Sequence, residues 1–409
     1  MAGARRLAVD RVLGGNRLIG TVHAVPLRVA LVHPFAWPDV RRGGERYLDD
    51  LARHVAAAGH EVEMITGTAA PSSSEELDVG GGRLVHRRLH HPRSARLERR
   101  GVRPVETFGL IALPTLARRR FDVVHALTPT AAVAARAALQ RTVFTLLGHP
   151  EPDEQRAHPW LRRGALAAVR SASAVTALSA SSAEGWAEVF GRGSEVLPPG
   201  VRLDLFPPAL PPRTGPPKVL FSADAGDRRK GVDRLLAAFG RVLDQRSDAR
   251  LQISSATDWT WALAGLGVDR ERVERAVDAL GPGRPEDVPA RYRDATVTVL
   301  PSTGEAFGMV LVESLASGTP VVCNDDGGMP SIVSEPAVGR VAQAADPGAL
   351  SEAILEVVAM AGEPDTPARC VAHAARWSWA TAISPAHVAL YEAVASGRSA
   401  GPRKRGVAR

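Results

Sequence analysis

Two glutamates stand eight positions apart in the run Glu305-Ala306-Phe307-Gly308-Met309-Val310-Leu311-Val312-Glu313. An apolar strand at 296–300 precedes them, and Gly318, Pro320 and a second apolar strand follow. A helix opening near Phe307 would leave its first backbone N–H groups free beside Gly308, where the missing side chain lets an anion come close. A phosphate suits that place. Glu305, just ahead of the helix, and Glu313, inside it, would then flank the anion with carboxylates able to accept hydrogen bonds from sugar hydroxyls. Two carboxylates around a phosphate cradle suggest a nucleotide sugar. Taken singly, Glu305 is better read as a helix-dipole partner and Glu313 as a solvated helix residue.

Further groups can serve the same chemistry. Arg228-Arg229-Lys230-Gly231 follows a strand ending at Phe221 and opens a helix, so Lys230 can reach a leaving diphosphate at the strand's carboxyl end. Positive charge at a helix start opposes the dipole, which favours a ligand over a solvated charge run. Gly43-Gly44 lies in the first strand-to-helix loop, followed by Glu45 and Arg46. Such glycines can approach a phosphate or simply make a turn. His125 and His149 end or follow strands, where a lone histidine is more often structural. No paired carboxylates or histidine cluster suit a divalent metal, and Asp325-Asp326 beside Gly327-Gly328 reads as a turn, so neither a metal nor a cofactor is expected.

The elements that must position these residues alternate. Strands are expected at 27–33, 61–66, 122–126, 142–146 and 174–178, with a helix over 45–58 ended by Gly59, a βαβ pattern that implies a parallel sheet. A proline-rich linker follows Leu197, and the alternation restarts with strands at 218–221, 250–254, 277–280, 296–300 and 321–323. The expected division is an extension over 1–26, a first domain over 27–200, a linker over 201–217, a second domain over 218–378, a helix over 379–395 and a basic tail over 396–409. Two doubly wound domains of this kind bind ligands in the cleft between the carboxyl ends of their sheets.

The chain's 409 residues, 45% hydrophobic, suffice for two such cores. No apolar run is long enough for a membrane span, and Asp10, Arg11, Asn16 and Arg17 interrupt any signal sequence, so a cytoplasmic place is expected. Cys323 and Cys370 are too few for a disulfide framework or a zinc site. The net charge of +7 suits an anionic partner, but nothing resembles a nucleic-acid-binding motif. The His- and Arg-rich stretch 86–103 reads as a solvated loop whose basic face can meet an anionic membrane at its periphery or a phosphorylated acceptor.

The whole stretch from Leu300 to Gly328 resembles the donor-site signature of retaining GT-B glycosyltransferases of the family-4 type, and 218–239 resembles the second signature of that family. The resemblance spans 27–395. It implies a hexosyltransferase using a nucleotide-diphosphate sugar such as a UDP- or GDP-sugar, with an unidentified acceptor. By this resemblance Glu305 holds the transferred sugar, Glu313 the ribose and Lys230 the diphosphate. Gly44, Arg228, Arg229, Ala306, Phe307, Gly308, Met309 and Val310 complete the donor site, and His149 stands near the position of the family's sugar-contacting histidine. The final helix is implied to cross back onto the first domain. Two positions depart from the pattern: Asp224 stands near where the family usually has an arginine, and Leu147 replaces that histidine itself. A nucleotide-sugar isomerase on the same fold and a non-catalytic sugar-nucleotide-binding subunit are the alternatives.

Overall fold

The computed structural model describes residues 25–92, 95–99, 102–150, 159–208, 215–343 and 346–398. The expected extension lies outside them except for Val25 and Pro26, as does the basic tail beyond Arg398.

The first domain is built on β1 (Arg28–Val32), β2 (Glu61–Thr68), β3 (Ser73–Leu77), β4 (Arg83–His90), β5 (Val123–Ala126), β6 (Thr142–Leu146), β7 (Ala174–Ala177) and β8 (Glu195–Val196). They form one sheet in the order β3-β4-β2-β1-β5-β6-β7-β8, parallel throughout except where β3 meets β4. Residues 29–32 and 123–126 are buried on both faces, as the centre of a helix-covered sheet requires. The stretch 86–103 is therefore not simply a solvated loop. His86 is buried in β4 and bonds Thr66, while Arg87 pairs with Glu63. Within the hairpin only Leu84 and His86 are buried and β3 is exposed along most of its length, which leaves no continuous apolar run to find in the sequence.

The second domain carries β9 (Lys218–Ser222), β10 (Arg250–Ser254), β11 (Val277–Ala279), β12 (Val297–Leu300), β13 (Val321–Asn324) and β14 (Gly339–Ala342). All six are parallel, in the order β11-β10-β9-β12-β13-β14. Crossing from one half of the order to the other at β9 and β12 makes the switch point where such sheets open a crevice.

Three helices matter most for the site: α1 (Gly43–Ala57) after β1, α2 (Met309–Ala316) after β12, and α3 (Ser384–Ala395) at the end. The chain passes between the domains twice, and the passes touch: Val201 donates to the Trp377 carbonyl at 2.7 Å and accepts from the Trp379 N–H at 3.2 Å. Val201 and Phe206 are buried and anchor the described part of the 201–217 stretch at those two points. Beyond the second pass, α3 lies against α1, β5 and β6 of the first domain. A buried polar chain docks it. Tyr47 meets His387 at 2.8 Å, His125 meets Tyr391 at 2.7 Å and Thr145 at 2.5 Å, and Thr145 meets Thr176 at 2.6 Å. His125 is a satisfied core residue. Among the described residues no helix is long and apolar enough to cross a membrane.

Candidate active site

The cradle forms two residues later than the sequence spacing suggests. Helix α2 starts at Met309, not Phe307, because Gly308 takes φ +104°, a left-handed conformation that strains any L side chain and breaks the helical path. Ala306 and Phe307 lie ahead of the helix and are buried, with Phe307 set edge-on to Trp377 at 6.2 Å. Leu311 already donates to the Gly308 carbonyl, while the N–H groups of Gly308, Met309 and Val310 take no acceptor among the described residues. Three free donors at a helix start have the chemistry to bind an anion.

Glu305 is held in front of that end from two sides. Lys230, on a 3₁₀ turn (Arg228–Lys230) after β9, puts its Nζ 2.5 Å from Glu305 Oε2. The loop after β13 wraps the backbone: Gly328 donates to the Glu305 carbonyl at 2.8 Å, and Asp326 accepts from the Gly304 N–H at 2.9 Å. A Cβ on Gly328 would stand 2.3 Å from the Ala306 carbonyl oxygen, so only glycine permits this approach. Asp326-Gly327-Gly328 is thus a turn, as its sequence suggests, but one that positions Glu305.

The neighbouring cations are engaged elsewhere. Arg228 stacks on the Trp261 ring at 4.4 Å, and Arg229 bonds Asp227 at 2.8 Å. Asp224, at the departure from the family pattern, accepts from the Gly226 N–H at 3.0 Å and from Thr257 Oγ1 at 2.5 Å. Its carboxylate organises the loop after β9.

Glu313 is buried, which overturns its reading as a solvated helix residue. Its Oε2 accepts from the Tyr292 hydroxyl at 2.9 Å, and its Oε1 lies 2.6 Å from Nη1 of Arg46, a residue of the first domain. Neither partner was singled out from the sequence. Tyr292 carries no local pattern, but Arg46 directly follows Gly43-Gly44-Glu45, a proximity that was available.

The first domain closes the other wall. Gly43 and Gly44 form the first turn of α1 rather than a loop before it. A side chain at Gly43 would meet Met309 Sδ at 3.5 Å, so the N-terminal turns of α1 and α2 face each other across the cleft. Two helix N-termini and Lys230 make this space attractive to a polyanion. A side chain at Gly44 would meet Leu147 Cδ1 at 3.3 Å. His149, after β6, bonds Ser181 at 3.1 Å. Burial lowers its pKa, while the carboxylates of Asp326 and Glu305 pull it back up. His149, on the first domain, is thus within electrostatic reach of these two carboxylates of the second. Among the described residues no group of three or more His, Cys, Asp or Glu side chains is disposed to hold a metal ion.

Two Rossmann-like domains facing each other across a cleft lined by the carboxyl ends of parallel strands define the GT-B class. Comparison with known proteins leads to the family. The model of glycosyltransferase family 4 matches residues 41–205, and that of glycosyl transferases group 1 matches 206–377. Together they cover both domains, and the chain belongs to this family of glycosyltransferases. It is similar to D-inositol 3-phosphate glycosyltransferase 1 of Catenulispora acidiphila, 28% identical over 92% of this chain and 98% of the relative. It is also similar to the phosphatidyl-myo-inositol mannosyltransferase of Mycobacterium leprae, 27% identical over 91% and 98%. Among solved structures, sucrose-phosphate synthase from Thermosynechococcus elongatus superposes with a TM-score of 0.72 at 23% identity, over 90% of this chain and 99% of that one.

Proposed function

We propose that this glycosyltransferase moves a hexose, with retention of configuration, from a nucleotide-diphosphate sugar such as a UDP- or GDP-sugar to a phosphate-bearing polyol acceptor. The observation that carries the donor assignment is the Lys230–Glu305 pair set before the open N-terminus of α2. The acceptor class rests on the relatives, whose names specify inositol phosphate and phosphatidylinositol.

In this reading the diphosphate lies against the N–H groups of Gly308, Met309 and Val310. Lys230 has three ammonium protons, so it can hold Glu305 and a phosphate oxygen together. As the sugar–phosphate bond breaks, negative charge grows on the leaving diphosphate, and these fixed donors stabilise it without reorganising. Glu305 accepts hydroxyls of the transferred sugar, Glu313 accepts those of the ribose, and His149 approaches the sugar from the acceptor domain. Lys230 and the two helix ends supply the positive charge that a divalent cation would otherwise provide, so turnover is expected to survive exhaustive EDTA treatment. Activity lost to EDTA and restored by Mn²⁺ would contradict that part of the reading.

The test of the function is transfer of label from UDP- and GDP-hexoses to inositol phosphate, with free inositol and no acceptor as controls. Product dependent on the phosphate supports the reading. Nucleotide-sugar turnover that is identical without any acceptor would favour an isomerase or hydrolase instead.

A further inference from the structure

Arg46 sits on the first turns of α1, yet its charge belongs to the second domain's nucleotide site. Its Nη1 is 2.6 Å from Glu313 Oε1 and its Nε is 3.8 Å from Asp50 Oδ2, one helical turn along α1. The guanidinium lies 5.5 Å from the Phe206 ring centroid and 6.0 Å from that of Trp37. Glu313 and Asp50 are both buried, so this is a cation held between two carboxylates at the domain interface. Burial pushes the Asp50 carboxyl up to about 7, and Arg46 is the first group pulling it back. Taking such charges out of water is costly, and simple adhesion between domains would be achieved more cheaply with apolar contacts.

The geometry of the carboxylate suggests what the arrangement accomplishes. Ionised, it offers about four lone-pair sites, two on each oxygen. Arg46 occupies Oε1 and Tyr292 occupies Oε2, which locks the rotation of the group and leaves one acceptor position on each oxygen. We infer that Arg46 is a positioning residue of the nucleotide site contributed by the first domain, aligning Glu313 so that its two remaining lone pairs receive the vicinal diol of a ribose. This rests on the reading of Glu313 as the ribose acceptor. It also makes the nucleotide site complete only when the two domains are together.

The test uses ribose chemistry as its readout. Wild-type protein is titrated with UDP and 2′-deoxy-UDP, and with GDP and 2′-deoxy-GDP, alongside Arg46→Met, Arg46→Lys and Glu313→Gln. The wild type is expected to prefer the ribo form by about 10- to 100-fold, the worth of one hydrogen bond to a charged acceptor. Arg46→Met should lose most of that preference, weakening the ribo form, which offers Glu313 two hydroxyls, more than the deoxy form, which offers only the 3′-hydroxyl. Arg46→Lys keeps the charge but not the planar fork and should fall between them. A mere structural defect would weaken both nucleotides alike. Full preference in Arg46→Met, with Glu313→Gln having lost it, overturns the role of Arg46 and leaves the ribose assignment standing. Full preference in Glu313→Gln overturns the assignment itself. If Arg46→Met does not fold, Arg46→Lys decides, and an undiminished wild-type preference there overturns the inference.

Discussion

Lys230 and Glu305 form an ion pair in which the proposed function gives each partner a separate task, so their substitutions should fail differently. Lys230→Ala removes the charge proposed to meet the leaving diphosphate and is expected to cut turnover by roughly 10² to 10³-fold, as for loss of one preorganised stabiliser of transition-state charge. The fold should survive, because the lysine side chain is only partly buried. Near-normal turnover would mean that another cation carries the phosphate, although Arg228 and Arg229 are committed to Trp261 and Asp227. Glu305→Gln keeps the shape but loses the charge that holds Lys230. Transfer should fall sharply while the affinity for free nucleoside diphosphate, which has no hexose for Glu305 to hold, changes little. Calorimetric titration beside a transfer assay separates the two effects, and an equal loss in both would contradict the role given to Glu305. Glu305 and Lys230 were legible because each lies in a distinctive local stretch, 300–328 and 218–239, although their pairing across 75 positions was not. The turn of Asp326 and Gly328 was legible too, but not that it holds the Glu305 backbone, and Tyr292 reaches Glu313 from a separate helix, which no local spacing encodes.

At the level of elements, α3 is the part whose docking depends most on protonation. His387 is fully buried against Tyr47, near His125 and Tyr391, and burial holds its pKa down to about 4 despite the opposing bond to the Ile383 carbonyl. A histidine whose folded pKa is depressed contributes stability that is fully present above its unfolded value near 6.5. That contribution is lost as pH falls from there toward 4, because the unfolded chain takes up the proton first. The shift corresponds to about 3 kcal/mol. His387→Gln keeps a hydrogen-bonding side chain but cannot titrate, so its melting temperature should fall less steeply than the wild type's between pH 7 and pH 5. Equal slopes would show that His387 does not carry this dependence. The strands of both sheet centres could be placed from sequence to within one or two residues, since their apolar runs are continuous. The β3–β4 hairpin could not, because its edge position leaves one face polar. Nor could the true start of α2, which is set by the backbone angle of Gly308. The contacts that dock α3, such as His125 with Tyr391, join residues 266 positions apart. Only the tertiary fold brings them together.

For the molecule as a whole, both domains present the carboxyl ends of their strands to one cleft, and each contributes to it. The second brings Lys230, Glu305, the start of α2 and Glu313, while the first brings Gly43, Gly44, Arg46 and His149. The two-domain plan was legible because the alternation of strand and helix stops at a run of prolines and starts again. The ionic link across the cleft was not legible, since neither Arg46 nor Glu313 announces its partner. The central claim is that this cleft takes a nucleoside diphosphate with its ribose on Glu313. Calorimetric titration of the wild type and Glu313→Ala with free UDP, GDP and ADP tests it most directly. The expected result is selective binding of one nucleotide by the wild type and a loss of roughly 1.5 to 3 kcal/mol in the variant, the worth of hydrogen bonds to a charged acceptor. Binding of none of the three, or identical affinity in a folded Glu313→Ala protein, would contradict the claim.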